Sequence, residues 1–446
     1  MMKNNFIFTP DKSDEYSMHT YACVGNNGNP GVFEYAKGFA LAANFLIKVS
    51  IAKNGCLFAP DYAVYPICFN MRHSIELFIK SYVQFVNDLA NLRKIKKTSS
   101  TIIMKAHDIN NIWAYLTDNY KILDKRLVNK AKIIVPYIEC FGNIDATGQT
   151  FRYPYDTENR KHLTSQSVIN IEHLGKYFNE LEALLVSFYD YHELIVNEYK
   201  LNSYTKKLSR NDLSIISKIL PNVNEWKKDS FKEIKDNIKK EYDISSNELS
   251  KAINIIKTHY EFGYFIGTVP ELIDFNEDEF FLFIDKWRQL HDLDYIYNKS
   301  DNPIIESISI GSNMNEDDNI TTLSMILKKG SERTIKINEI SNELINNIKV
   351  ETITNIHTLF YFSRECNYSE EYRLTYLYHE KDCRKDIKDS IEHILRKTIL
   401  LPEVVISLLR LNQKKIALTL IEKYGLKNYI KEQLEKRKIK ISIILE

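Results

Sequence analysis

From residue 33 to about residue 200, apolar side chains recur every three to four positions over long stretches. Few turn-forming residues interrupt them. The 446 residues include only 13 glycines and 10 prolines, against 28 tyrosines and 22 phenylalanines. A chain so poor in tight-turn residues places its backbone in long regular elements, and that spacing makes them helices. Five are predicted in this half, over about 33–53, 65–92, 108–118, 123–135 and 167–199. The length predicts two or three domains and is ample for a sizeable core.

Charge narrows the function classes. Sixty Lys+Arg against 59 Asp+Glu leave a formal charge of +1, which excludes a chain that holds nucleic acid by bulk electrostatics and leaves a local basic patch open. The six cysteines form no C-x-x-C pair or disulfide-framework spacing. The first residues contain no apolar run of signal-peptide length, and the stretch 39–47 falls well short of the ~20 residues a membrane span needs. These features predict a cytoplasmic protein with no membrane partner.

Composition along the chain predicts a mainly α architecture in five parts. Residues 1–34 are irregular, with Gly25, Gly28 and Gly31 in turns that lack phosphate-cradling spacing. A helical bundle over 35–205 is followed by a lysine-rich helical connector over 206–300. Partial apolar–polar alternation over 304–310, 320–328 and 334–338, with Gly330-Ser331 as a turn, predicts a small antiparallel β-meander within 301–340. Helical periodicity returns over 341–446 and ends in a basic helix carrying Lys427, Lys431, Lys436, Arg437, Lys438 and Lys440.

The second predicted helix carries most of the chemical information. Its apolar residues, among them Ile75, Phe78, Ile79 and Tyr82, cover most of its circumference, the pattern of a buried helix. Through them runs a charged stripe, Arg72, Glu76 and Lys80, at i, i+4 and i+8 on one face. Either the stripe is a salt-bridged edge, or it faces a cavity or partner with Arg72 and His73 free to contact an anion. Downstream, Asp108 follows His107 and opens an amphipathic run as an N-cap would. A turn-rich loop then holds Arg152-Tyr153-Pro154-Tyr155-Asp156, pinned either by Arg152 pairing with an acidic neighbour or by a ligand.

The order of these islands resembles the HEPN domain family: Phe69, Glu76 and Lys80 in one helix, then His107, Asp108 and Ile109, then Arg152, Tyr153, Pro154 and Asp156. The resemblance covers about residues 35–200 and implies an N-terminal helical bundle of four or five helices, commonly dimeric. It also implies a place in bacterial phage defence or toxin systems, with an RNA or nucleotide ligand and a protein partner from such a system. Active HEPN proteins are typically metal-independent endoribonucleases with an R-x(4–6)-H motif; others serve as nucleotide- or partner-binding modules. On the resemblance, Arg72, His73, Glu76, Lys80, His107, Arg152, Tyr153 and Asp156 line a ligand or dimer surface.

No R-x(4–6)-H lies within 35–200; the match in the chain is Arg373 to His379. A neutral His can take the proton of a ribose 2′-hydroxyl while Arg holds the phosphate, so these two are the candidate catalytic pair. An offset of six residues turns them about 120° apart on an ideal helix, and an ordinary amphipathic helix explains them equally. No metal-ligand, P-loop or nucleophile-elbow motif occurs, and no metal or cofactor is expected. The function classes are therefore an RNA-binding or RNA-cleaving effector, a non-catalytic nucleotide or partner sensor, and a scaffold.

Overall fold

A computed structural model describes residues 21–52, 59–96, 100–293 and 316–437, with 316–329 described as backbone only. The chain divides into two compact units, Met1–Lys200 and Leu201–Glu446. Both are helical; among the described residues the only β pairing is one isolated bridge, Tyr155 to Lys161. No described helix is long and apolar enough to cross a membrane.

The first unit is built around α2 (Pro60–Leu92), whose 33 residues span ~50 Å. Pro60 at its first turn costs no hydrogen bond, and its buried positions run right around the cylinder, from Ile67 and Met71 to Val86 and Leu89. A helix buried on all sides needs neighbours on all sides. These are α1 (Val32–Ser50), α4 (Ile109–Leu123) and α6 (Ile171–Lys200), while α5 (Lys125–Asp145) packs on α4 and α6. A short α3 (Ser100–Lys105), not foreseen in the sequence, leads into α4. Asp108 caps α4 as expected, its Oδ1 accepting from the Asn110 N–H at 2.8 Å and the Asn111 N–H at 3.2 Å.

The second unit opens with α7 (Arg210–Ile219), α8 (Asp229–Tyr242), α9 (Ser246–Thr258) and the one-turn α10 (Tyr260–Gly263). The expected connector has a core of its own, with Leu213, Ile216, Ile256 and Phe262 fully buried; only α8 keeps the solvated lysine face its sequence suggests, burying Phe231 and Ile238. A larger core follows, formed by α11 (Glu277–Arg288), α12 (Glu316–Asn347), α13 (Val350–Glu365), α14 (Glu371–Lys385), α15 (Ile387–Leu395), α16 (Leu400–Arg410), α17 (Lys414–Lys423) and α18 (Lys427–Lys436). Arg210 joins the two cores. Its guanidinium lies 4.9 Å from the Phe262 ring and 4.8 Å from the Tyr368 ring, and its Nε donates to Glu370 at 2.7 Å.

The β-meander is corrected. Of its three expected strands, 304–310 lies outside the described residues, and 320–328 and 334–338 are parts of the single helix α12. Ile337, Ile340, Leu344 and Ile348 repeat at three to four residues and are buried, so helical period prevails over the short alternation. Gly330 and Ser331 continue the helix instead of turning it, and the Thr334 hydroxyl donates to the Gly330 carbonyl at 2.9 Å, one turn back. The basic C-terminal helix is present as α18, with Lys438 and Lys440 beyond the described residues.

Candidate active site

The α2 stripe is buried, and that decides what each of its members does. Arg72 is 1% exposed. Its Nε donates to the Asp145 carbonyl at 2.7 Å, its Nη2 to the carbonyls of Ala146 and His107, and its Nη1 to Glu76 at 3.1 Å. Two of those carbonyls end α5, where unpaired C=O groups and the negative end of the helix dipole favour a cation. Arg72 thus ties the end of α5 and the start of α4 onto α2. This corrects the expectation of an arginine free for an anion: four of its five N–H groups are already used. Gly148, with φ of +79°, lets the following loop pass over the guanidinium.

Glu76 is the centre of the network. Its Oε2 accepts from Arg72; its Oε1 accepts from Lys80 Nζ at 2.7 Å and from His107 Nδ1 at 3.0 Å. Burial opposes its charge, but the Lys80 hydrogen bond and ammonium, the His107 bond and the Arg72 charge together hold the carboxyl below its ordinary range. An ionised carboxylate only accepts, so the shared proton sits on His107 Nδ1. The rest of that imidazole, with 70% of the side chain exposed, presents Nε2 outward.

Around His107 opens a cleft of about 290 Å³ lined by Phe69, His73, Thr147, Gly148, Gln149 and Arg152 besides the charged network. His73 is half-buried, edge-on to Phe39 at 4.4 Å and stacked on Phe69 at 5.8 Å. Burial lowers its pKa, and the Arg72, Lys80 and Arg152 charges add to this against the opposing pull of Glu76, so its ring is neutral at neutral pH. Arg152 makes no ion pair among the described residues. Its guanidinium sits 5.7 Å from the Phe69 ring and 5.3 Å from the Tyr153 ring, an exposed cation poised at the cleft by aromatic faces.

The remaining expected residues lie elsewhere. Tyr153 is half-exposed and supports Arg152 without lining the cleft. Asp156 closes its own loop, accepting from the Glu158 and Arg160 N–H groups and from Arg160 Nε, each within 2.9 Å. Its carboxyl is held low chiefly by the Arg160 bonds. Lys80 lines a neighbouring cavity. Thr147, Gly148 and Gln149 stand in the same turn-rich loop as Arg152, and nothing in the sequence marks them as cleft residues, since loops carry no period to read.

Arg373 and His379 do not come together. Both ride on α14, but Arg373 is exposed while His379 is turned inward, 9% exposed, stacked on Tyr361 at 4.8 Å and 5.6 Å from His357. Burial pushes its pKa down to about 4, with His393 adding to the shift and Asp382 opposing it. The 120° divergence expected for that offset is what separates them. Among the described residues no His, Cys, Asp and Glu cluster has metal-binding geometry.

Comparison of the chain with family models, with curated proteins and with solved structures found no match.

Proposed function

We propose that the first unit binds RNA at the His107 cleft and cleaves it without a metal ion. The observation that carries this reading is the Glu76–His107 pair: a buried carboxylate bonded to Nδ1 of an exposed imidazole that lines one cleft together with Arg152. A carboxylate so placed sets the tautomer and stabilises the imidazolium formed when Nε2 takes a proton. In the proposed reaction Nε2 accepts the proton of a ribose 2′-hydroxyl as the 2′-oxygen bonds to phosphorus. The bond from phosphorus to the 5′-oxygen breaks, that oxygen takes a proton from solvent while the imidazolium returns its own to solvent, and Arg152 holds the phosphate as charge builds on it. The products carry a 2′,3′-cyclic phosphate and a 5′-hydroxyl.

The test is incubation of the full chain with total RNA in EDTA. His107→Ala is expected to lower cleavage about 10²–10⁴-fold, the range of a lost general base. Its exposed position lets circular dichroism verify an unchanged fold. His379→Ala is expected to cleave as wild type if it folds. Cleavage that survives His107→Ala overturns the assignment. A second reading, nucleotide binding without cleavage, is favoured by the engagement of Arg72, which leaves Arg152 as the cleft's available guanidinium. Saturable nucleotide binding, lost in Arg152→Ala, with no cleavage by wild type decides for it.

A further inference from the structure

One turn of α2 beyond Glu76, a second cavity of about 340 Å³ opens where α1, α2, α3 and α6 meet. Its aromatic wall is set before any ligand arrives. Phe33 stacks on Tyr189 with centroids 3.8 Å apart, and Phe85 meets the same ring edge-on at 4.9 Å. Lys80 lines it although only 7% exposed. The ammonium has three N–H donors, and Glu76 takes one; no other acceptor is bonded to it among the described residues. A buried cation with unspent donors beside an open cavity favours a ligand that brings an acceptor. On the wall opposite in charge, Glu34 receives the Gly31 N–H at 2.8 Å through Oε2, which leaves Oε1 for a donor.

A planar molecule with an aromatic face, a carbonyl acceptor and adjacent N–H donors meets all three requirements, and a nucleobase has that chemistry. The volume falls at the small end of the ~300–1,000 Å³ typical of ligand clefts. Guanine fits best. Its Watson–Crick edge places two N–H donors, suited to a carboxylate, beside a carbonyl oxygen suited to an ammonium. The cavity is also joined to the His107 cleft by one atom, since Glu76 Oε1 accepts from both Lys80 and His107. Along α2 the two linings are consecutive, Phe69 to Glu76 for the cleft and Lys80 to Asn87 for the cavity, and their nearest members are one turn apart.

We infer that the Lys80 cavity is a guanine-preferring nucleobase subsite for the nucleotide adjoining the phosphate at Arg152. The inference rests on the reading of the cleft as a phosphate site and adds its base specificity.

The test is isothermal titration of the full chain with guanosine, the four 5′-mononucleotides and inorganic phosphate. Guanosine 5′-monophosphate is expected to bind at least tenfold more tightly than the other three. Lys80→Met is expected to abolish that preference. Glu34→Gln, which preserves the helix cap, is expected to weaken the guanine nucleotide and guanosine alone. Because Lys80→Met removes a buried charge partner and can unfold the unit, Met104→Trp is the deciding variant. Met104 is exposed at the cavity wall, so the larger ring excludes bases and spares phosphate. Equal affinity for all four mononucleotides, or guanine preference intact in Met104→Trp, overturns the inference. Phosphate binding without any base contribution overturns it while leaving the cleft reading standing. Guanosine binding without phosphate binding upholds the base site and sinks the cleft reading.

Discussion

Arg72 gives its N–H groups to Asp145, Ala146, His107 and Glu76, whereas Arg152 gives one, to the Tyr153 hydroxyl at 3.4 Å, and rests on aromatic rings. Two arginines at one cleft therefore differ in what their loss does. Arg72→Met strands a buried carboxylate beside Lys80 and takes a donor from the carbonyls of Asp145, Ala146 and His107, of which Ala146 keeps the Ile109 N–H, and a loss of about 3–5 kcal/mol is expected. Arg72→Lys does not rescue it, because a point ammonium cannot span carbonyls that a planar fork reaches together. Arg152→Ala is expected to change stability by under about 0.5 kcal/mol while weakening phosphate binding. Urea unfolding of the three variants checks the contrast; equal destabilisation by Arg72→Met and Arg152→Ala contradicts it.

Among the elements, α12 offers the sharpest discrimination. Gly330 lies in that helix with open space where a Cβ would stand. Gly330→Ala is therefore expected to stabilise the second unit by about 0.5–1 kcal/mol, read as a raised melting temperature; a hairpin glycine would give the opposite sign. That helix also marks where sequence reasoning fell short. Short windows such as 320–328 alternate by chance, and only the longer run from Ile337 to Ile348 shows the helical repeat. Similarly, the helix predicted over about 123–135 falls short of α5, although a proline inside a helix removes a hydrogen bond. Helix α5 continues through Pro136 to Asp145, with the carbonyl one turn back on exposed Lys132 and with Ile134 and Ile138 buried on either side. The stripe of Arg72, Glu76 and Lys80 and the Asp108 cap were legible because each depends on spacing along one helix. The pairing of Glu76 with His107 across 31 residues was not, since no local period records which loop a helix face will meet.

Across the molecule, among the described residues, six histidines, His73, His192, His291, His357, His379 and His393, have lowered pKa values, each chiefly through burial. His192 is pushed to about 3, bonded to the Phe188 carbonyl and the Tyr120 hydroxyl and stacked on Tyr82. His357 also falls to about 3, against the Ser390 carbonyl and facing His379, His393 and Lys397. At His192, His357 and His379 the unfolded chain takes up a proton near the ordinary value of 6.5, and the native chain does so only near 3 to 4. The unfolded state therefore binds more protons in that window, and stability falls as pH drops below 6.5. Each of the two most buried imidazoles contributes a loss of about 2 kcal/mol by pH 5. The lowered carboxyls, Glu76 and Asp285 among them, add their share only below their ordinary values of 4.5 and 3.8. Thermal melts between pH 7 and pH 4.5 are expected to decline from pH 6.5 onward, with a shallower slope in His357→Gln; a flat profile down to pH 5 contradicts the assignment.

The length and enclosure of α2 carry a consequence for how such a site can drift. Arg72, Glu76 and Lys80 are fixed to the one element whose failure is the failure of the unit, while Thr147, Gln149 and Arg152 project from a loop whose root accepts from the Arg72 guanidinium and the Ile109 N–H. Substitutions in the loop, and of the exposed His107, can retune what the cleft accepts and does without disturbing the frame, whereas the buried carboxylate of Glu76 can be lost only by a lineage that also replaces its cationic partners. Variation in such a protein is thus channelled toward the rim of the cleft and away from its floor.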